Sequence, residues 1–215
     1  MDFGQVFVIV LSVLLALWYF WGMLINRKRG IATYYWLREG LLASVGEVTE
    51  ARWIGSAASG ARLVVGEARA PFRRMEVVFL LESREILPWW LYQRLRGRRD
   101  QMVLKASLRT LLPAVDIAPA GSATLRQMQE EGKPKVLEGP QGFVFLLRGK
   151  TRPEDVKPWE DFLARYGEAV ISLSVSHRQP HLVMSLSLPP LQARGEPAKA
   201  FFEALAVACT PQAKS

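Results

Sequence analysis

The sequence predicts an α+β fold: a single N-terminal transmembrane helix, then a cytosolic domain with an antiparallel or mixed sheet and helices on one side. Three observations lead there. Residues 3–25 carry no charged side chain and run into Asn26-Arg27-Lys28-Arg29. Beyond them, short runs of strand-forming residues are interleaved with helical patterns. The order is helix, two strands, helix, strand, helix, strand, helix, two strands, helix. Strict βαβ alternation is not sustained, which argues against a doubly wound parallel sheet.

The opening run comes first. About twenty apolar residues at ~1.5 Å rise match the ~30 Å hydrocarbon core of a bilayer. Trp18-Tyr19-Phe20-Trp21 stands near its far end, where ring side chains favour the membrane–water boundary. Arg27, Lys28 and Arg29 follow and set the topology, because basic residues are retained on the cytoplasmic side. A cleaved signal peptide fits poorly. The start carries Asp2 and no basic residue, the apolar run is too long, and the bulky Tyr-Phe-Trp stretch stands where small residues are wanted. A core helix apolar on all sides would need a large core around it. The small residues Gly4, Ser12, Ala16 and Gly22 do not suggest tight self-pairing of the span. The expected organisation is an anchor over 1–26, a basic juxtamembrane segment and helix over 27–50, and a cytosolic α+β domain over 51–215. The N-terminus is expected outside, in the cell membrane of a prokaryote or the endoplasmic reticulum of a eukaryote.

Residues 30–46 read as a helix with Ile31, Tyr34, Tyr35, Leu41 and Leu42 on its apolar face, stopped at Gly46. It packs on the core or lies on the bilayer surface. Residues 52–60, with Gly55, Ser56, Ser59 and Gly60, read as a loop. Strands follow over 62–68 and 74–82, and a helix over 86–95 with Pro88 in its first turn. Residues 101–109 alternate, Met102, Leu104, Ala106 and Leu108 against Val103, Lys105, Ser107 and Arg109, as a half-buried strand does. Pro113 and Pro119 bracket a loop or short edge strand. Ser122 caps a helix that Gly132 ends. A buried strand covers 142–148, and a helix with acidic residues near its start runs through Tyr166. Segments 169–176 and 182–188 form a hairpin. The last helix, 197–208, buries Phe201, Phe202, Leu205 and Cys209 on one stripe.

The chain has 215 residues, a formal net charge of +8 and a pI near 9.9. That balance suits a surface meeting anionic lipid or RNA, and equally a soluble face obeying the orientation rule. The single cysteine, Cys209, excludes an internal disulfide and any multi-cysteine metal site. His177 and His181 flank a turn, but two imidazoles with no adjacent carboxylate make a poor metal site. No metalloprotease, nucleophile-elbow or phosphate-loop motif is present. The acidic pairs Glu130-Glu131 and Glu154-Asp155 read as solvated faces or helix starts. No catalytic residue, metal or cofactor is expected; the chain reads as a binding protein rather than an enzyme.

One segment carries a binding signal. Ile86-Leu87-Pro88-Trp89-Trp90-Leu91-Tyr92 is followed by Arg94, Arg96, Arg98 and Arg99. Trp89 and Trp90 beside four arginines suit a lipid headgroup boundary, each arginine adding ~1 kcal/mol near an anionic surface. The same residues suit an RNA backbone. They also suit a core helix with buried tryptophans and a wet end.

In order and texture the chain resembles the calumin family, coiled-coil-domain proteins of the endoplasmic reticulum that work in the PAT chaperone complex of the multipass translocon. The shared layout is a span ending in Asn26-Arg27-Lys28-Arg29, a helix with Trp36 and Leu41-Leu42 closing on Val45-Gly46, then Trp53 and a Ser59-Gly60 turn. A strand through Met75 and Leu81 leads by Ser83-Arg84-Glu85 into a Leu/Arg helix, and Asp100-Gln101 opens the next strand. Residues 169–179 and 181–189 then match that family's last sheet segments. The resemblance implies a single-span topology and a non-catalytic scaffold or chaperone role in membrane-protein insertion. It also implies as partners the lipid bilayer, a membrane protein such as an insertion channel, and a ribosome or RNA contact. The family's acidic segment before the span and its charged C-terminal coiled coil have no counterpart here, so calcium binding is not implied and ribosome contact loses its usual element. The alternatives are, in order, a regulatory or assembly subunit of another membrane complex and a tethered enzyme.

Overall fold

The computed structural model describes residues 2–130 and 134–211. Its first element is helix α1, Phe3–Ser44, 42 residues long, or ~63 Å at 1.5 Å per residue. The apolar run and the helix expected after it are thus one unbroken element. It ends where Val45 and Gly46 both donate to the Leu41 carbonyl, at 2.8 and 2.9 Å. Gly46 takes φ +146°, a backbone state that side chains disfavour, so it stops the helix as expected.

The elements that follow are β1 (Glu50–Trp53), β2 (Gly60–Val65), β3 (Phe72–Leu80), α2 (Leu87–Leu95), β4 (Gln101–Leu108), β5 (Val115–Pro119) and α3 (Ala123–Glu130). Then come β6 (Lys135–Glu138), β7 (Phe143–Leu147), α4 (Lys157–Tyr166), β8 (Val170–Val175), β9 (Leu182–Ser187), α5 (Leu188–Ala193) and α6 (Ala198–Ala208). The strands form one nine-stranded sheet in the order β1-β2-β3-β4-β9-β8-β5-β7-β6. Every pairing in it is antiparallel. The fold is α+β, as the interleaved pattern predicts.

The main core lies on one face of this sheet. Strand residues at every second position, such as Met75, Val77 and Phe79 or Met102, Leu104 and Ala106, meet the inner half of α1 together with α4, α5 and α6. Trp159, Phe162, Tyr166, Phe201 and Phe202 form its aromatic centre, with Phe162 and Phe201 edge to face at 5.8 Å. Phe201, Phe202, Leu205 and Cys209 are buried together on one stripe. Burial pushes the Cys209 thiol well above its ordinary range.

Three expectations are corrected and two elements are added. The helices do not all lie on one side, because α3 packs Leu125 against Ala118 and Leu146 on the opposite face. Residues 115–119 are an interior strand between β8 and β7, with Val115 through Ala118 all buried. Such a strand needs cover on both faces, and α3 supplies the second. On that face Asp116 accepts from Arg148 and, at 2.5 Å, from Ser174. The loop read over 52–60 begins as the four-residue edge strand β1. Finally, β6 and α5 carry too little pattern to be read in advance; α5 holds Pro189-Pro190 in its first turn, where proline is tolerated.

The β8–β9 hairpin forms as expected. His181 is buried at its return, and its Nδ1 accepts from the Leu108 N–H at 2.9 Å, while His177 is exposed. His181 is therefore a structural acceptor. Ser122 caps α3 by accepting from the Leu125 N–H at 3.1 Å. Gly132 and Glu131 lie outside the described residues.

Candidate functional site

The face of α1 that enters the domain carries Gly22, Asn26, Gly30, Thr33, Leu37, Gly40 and Leu41, all buried. Their spacing of three and four places them on one stripe. The glycines let backbones meet. A Cβ at Gly22 would stand 2.5 Å from the Arg84 carbonyl oxygen, and one at Gly30 would overlap the carbonyl of Ala57. Further along, Thr33 accepts from Gln192 at 2.9 Å and the Trp36 indole donates to the Glu196 carbonyl at 3.1 Å. The outer part of the helix, Phe3 to Leu17, is exposed along its length.

At the boundary between the two parts sits a polar lock. Asn26, with no exposed surface, donates to the Glu82 carbonyl at 2.7 Å and to the Glu85 carboxylate at 3.3 Å. Its Oδ1 accepts from the Arg84 guanidinium at 2.7 Å. Arg84 also donates to Asp100 at 2.8 Å, and Asp100 accepts from the Glu82 N–H at 2.8 Å. Asp100 so closes the base of the β3–β4 connection on which α2 is carried. Arg29 approaches the same carboxylate at 3.5 Å. Glu82 Oε2 accepts from the Trp90 indole at 3.2 Å, and its Oε1 has no donor among the described residues. Asp100 is thus held by two arginines and a backbone amide, and Glu85 by Asn26 and the Ser83 hydroxyl. That arrangement orders the junction.

The lock fixes α2 beside the aromatic belt of α1. The Trp18 indole donates to the Arg84 carbonyl at 2.9 Å, and its ring lies 5.7 Å from that of Trp90. No residue of α2 is buried, so the core-helix reading of this segment does not hold. Trp89 is 47% exposed, Leu91 50% and Leu95 80%, with Ile86 and Tyr92 exposed beside them. Trp89 stacks on Tyr92 at 5.4 Å. Arg94 lies over Trp90 at 5.6 Å and Arg96 over Tyr92 at 4.6 Å.

The structure thus brings Trp89, Trp90, Arg94 and Arg96 together, with Arg98 exposed just beyond. Arg99 follows, half-buried. It turns back to donate to the Arg94 and Arg98 carbonyls at 3.2 and 2.7 Å. Arg27 and Lys28 are exposed on the next turns of α1.

Sequence reasoning missed the lock. Gly22, Asn26 and Gly30 recur every four residues, and that periodicity of small and polar side chains was the available signal. A second feature, an open groove of about 370 Å³ between α1 and β1, is lined by Ile31, Tyr34, Tyr35, Ala51, Arg52 and Trp53. Among the described residues no group of three potential metal ligands converges. No protein-family model and no curated protein matches this sequence.

Proposed function

We propose that the chain is a non-catalytic, membrane-anchored binding protein, with α1 crossing the bilayer once, the N-terminus outside and the sheet domain in the cytoplasm. The observation that carries the reading is that α1 is long and apolar enough to cross a membrane while its inner half is a wall of the domain core. A conventional tether joins anchor and domain by a flexible linker. Here there is none, so the domain stands at a fixed height and presents one face to whatever lies beside it. The exposed Arg27 and Lys28 favour the cytoplasmic side. A scaffold or chaperone accessory beside a membrane-protein insertion channel is the role that the calumin-like layout supports.

Two experiments test this. The protein should stay with membranes in alkaline carbonate, and its domain should resist protease added outside intact cells. Release by carbonate, or cleavage from outside, removes the anchor reading. Purification in mild detergent should recover insertion-channel or ribosomal proteins. A single stoichiometric transport or respiratory complex would instead make it an assembly subunit, and a tightly bound metabolite would point to an enzyme.

A further inference from the structure

We infer that α2 is a second membrane contact: a short in-plane helix that enters the headgroup boundary of the cytoplasmic leaflet and selects anionic phospholipid. The inference rests on the proposed crossing of α1 and adds to it a lipid class and a set of residues.

Depth is the first argument. Tryptophans settle at the membrane–water boundary, and α1 carries Trp18 and Trp21 packed edge to face at 5.6 Å. Trp90 rests against Trp18, and the backbone of Arg84 rests against Gly22. The contacts place the first turn of α2 at the level of that belt. Arg27 lies nine residues further along α1, about 13 Å nearer the cytoplasm at the helical rise. A helix held at the belt has only headgroups and acyl chains to meet on its free side.

The surface of α2 suits that place. Ile86, Trp89, Leu91, Tyr92 and Leu95 are large, apolar and uncovered. In-plane helices bury such a face about 5–10 Å into the boundary. Its arginines, Arg94, Arg96 and Arg98, are exposed at the C-terminal end, where guanidinium groups reach lipid phosphate bidentately. No acidic side chain lies within α2 to oppose them. Each exposed arginine should favour an anionic over a neutral surface about fivefold. RNA would use the same cations, but it gives no reason for Leu91 and Leu95 to face outward. The link through Asn26 and Arg84 holds the start of α2 at the boundary, and the lipid charge then decides how deeply its arginine-bearing end settles.

The test uses the full chain in lipid nanodiscs, with Cys209→Ala and a nitroxide on one introduced cysteine at a time: Leu11→Cys, Leu95→Cys or Lys150→Cys. Oxygen and a water-soluble nickel chelate report depth at each site. The expected result is Leu11 and Leu95 both in the oxygen-rich lipid zone, with Lys150 in water. The Leu95 signal should shift toward water in all-phosphatidylcholine discs, or when Arg94→Glu, Arg96→Glu and Arg98→Glu are combined in discs containing phosphatidylglycerol. Leu95 in water with Leu11 in lipid overturns the inference and leaves the anchor standing. Leu11 in water overturns the anchor itself. Leu95 in water together with arginine-dependent binding of a single-stranded RNA assigns the surface to nucleic acid and also overturns it. Depth that ignores lipid charge removes the anionic selection.

Discussion

Replacing Asn26 by alanine should undock α2 from α1 without unfolding the domain. The side chain is fully buried and makes three hydrogen bonds, to the Glu82 carbonyl at 2.7 Å, to Glu85 at 3.3 Å and from Arg84 at 2.7 Å. Alanine leaves a guanidinium N–H and a backbone carbonyl without their partner. A lost bond to a charged group costs about 1.5–3 kcal/mol and one to a neutral carbonyl about 1. These two alone come to roughly 2.5–4 kcal/mol, below the ~5–15 kcal/mol that holds a typical domain. At ~1.4 kcal/mol per decade, amides of residues 82–90 should lose about a hundredfold or more in hydrogen-exchange protection. Those of β4 and β9 should keep theirs. Exchange measured by mass spectrometry on the full chain in detergent resolves both. Protection at 82–90 within about twofold of the parent would show that the lock does not hold α2, and the bond inventory would have misidentified what does.

Other outcomes follow from single residues. Gly30→Ala sets a methyl group onto the Ala57 carbonyl and should cost at least about 1–3 kcal/mol, read as a lower thermal midpoint; an unchanged midpoint would mean that α1 and the β1–β2 turn part easily. The Cys209 thiol is raised from an ordinary 9.0 by burial. The folded state therefore keeps a proton that the unfolded state releases, and its stability is intact below pH 9 and falls as pH rises above it, by up to ~1.4 kcal/mol per unit. Between pH 9 and 10, Cys209→Ala should flatten that slope in denaturant titrations, and an equal slope in both proteins would contradict the burial argument. The hydrogen bond from Arg62 draws the Glu76 carboxyl below its ordinary 4.5. The pair's stabilisation is present above that value and lost as pH falls through the lowered one. Arg62→Gln should therefore remove it at neutral pH and leave the acid limit alone, so that denaturant titrations of the two proteins converge as pH falls below the lowered value; a gap that persists there would contradict the pairing.

Local pattern was legible where one element decides its own structure. The alternation of Met102, Leu104, Ala106 and Leu108 marks β4, the Phe201–Cys209 stripe marks α6, and Ser122 and Gly46 mark helix ends. What failed depends on distant partners. Asn26 reads as the end of an apolar run, and its role appears only when Glu82 and Arg84, more than fifty residues on, fold back against it. Residues 115–119 look like an edge because prolines flank them. They become interior because β7 and β8 return on either side. The exposed face of α2 was legible as aromatic and basic, but the alternation between core and surface could not be settled from residues alone, since tryptophan serves both.

The central claim is that one unbroken helix is both membrane anchor and core wall. Paired nitroxides at Leu11→Cys and Glu39→Cys, in a Cys209→Ala background and a lipid nanodisc, test it most directly. Twenty-eight residues of continuous α-helix separate the labels by about 42 Å, so a narrow distance distribution near that value is predicted. A broad distribution centred at shorter distances would mean a hinge near Asn26, and a domain tethered to its anchor rather than built on it.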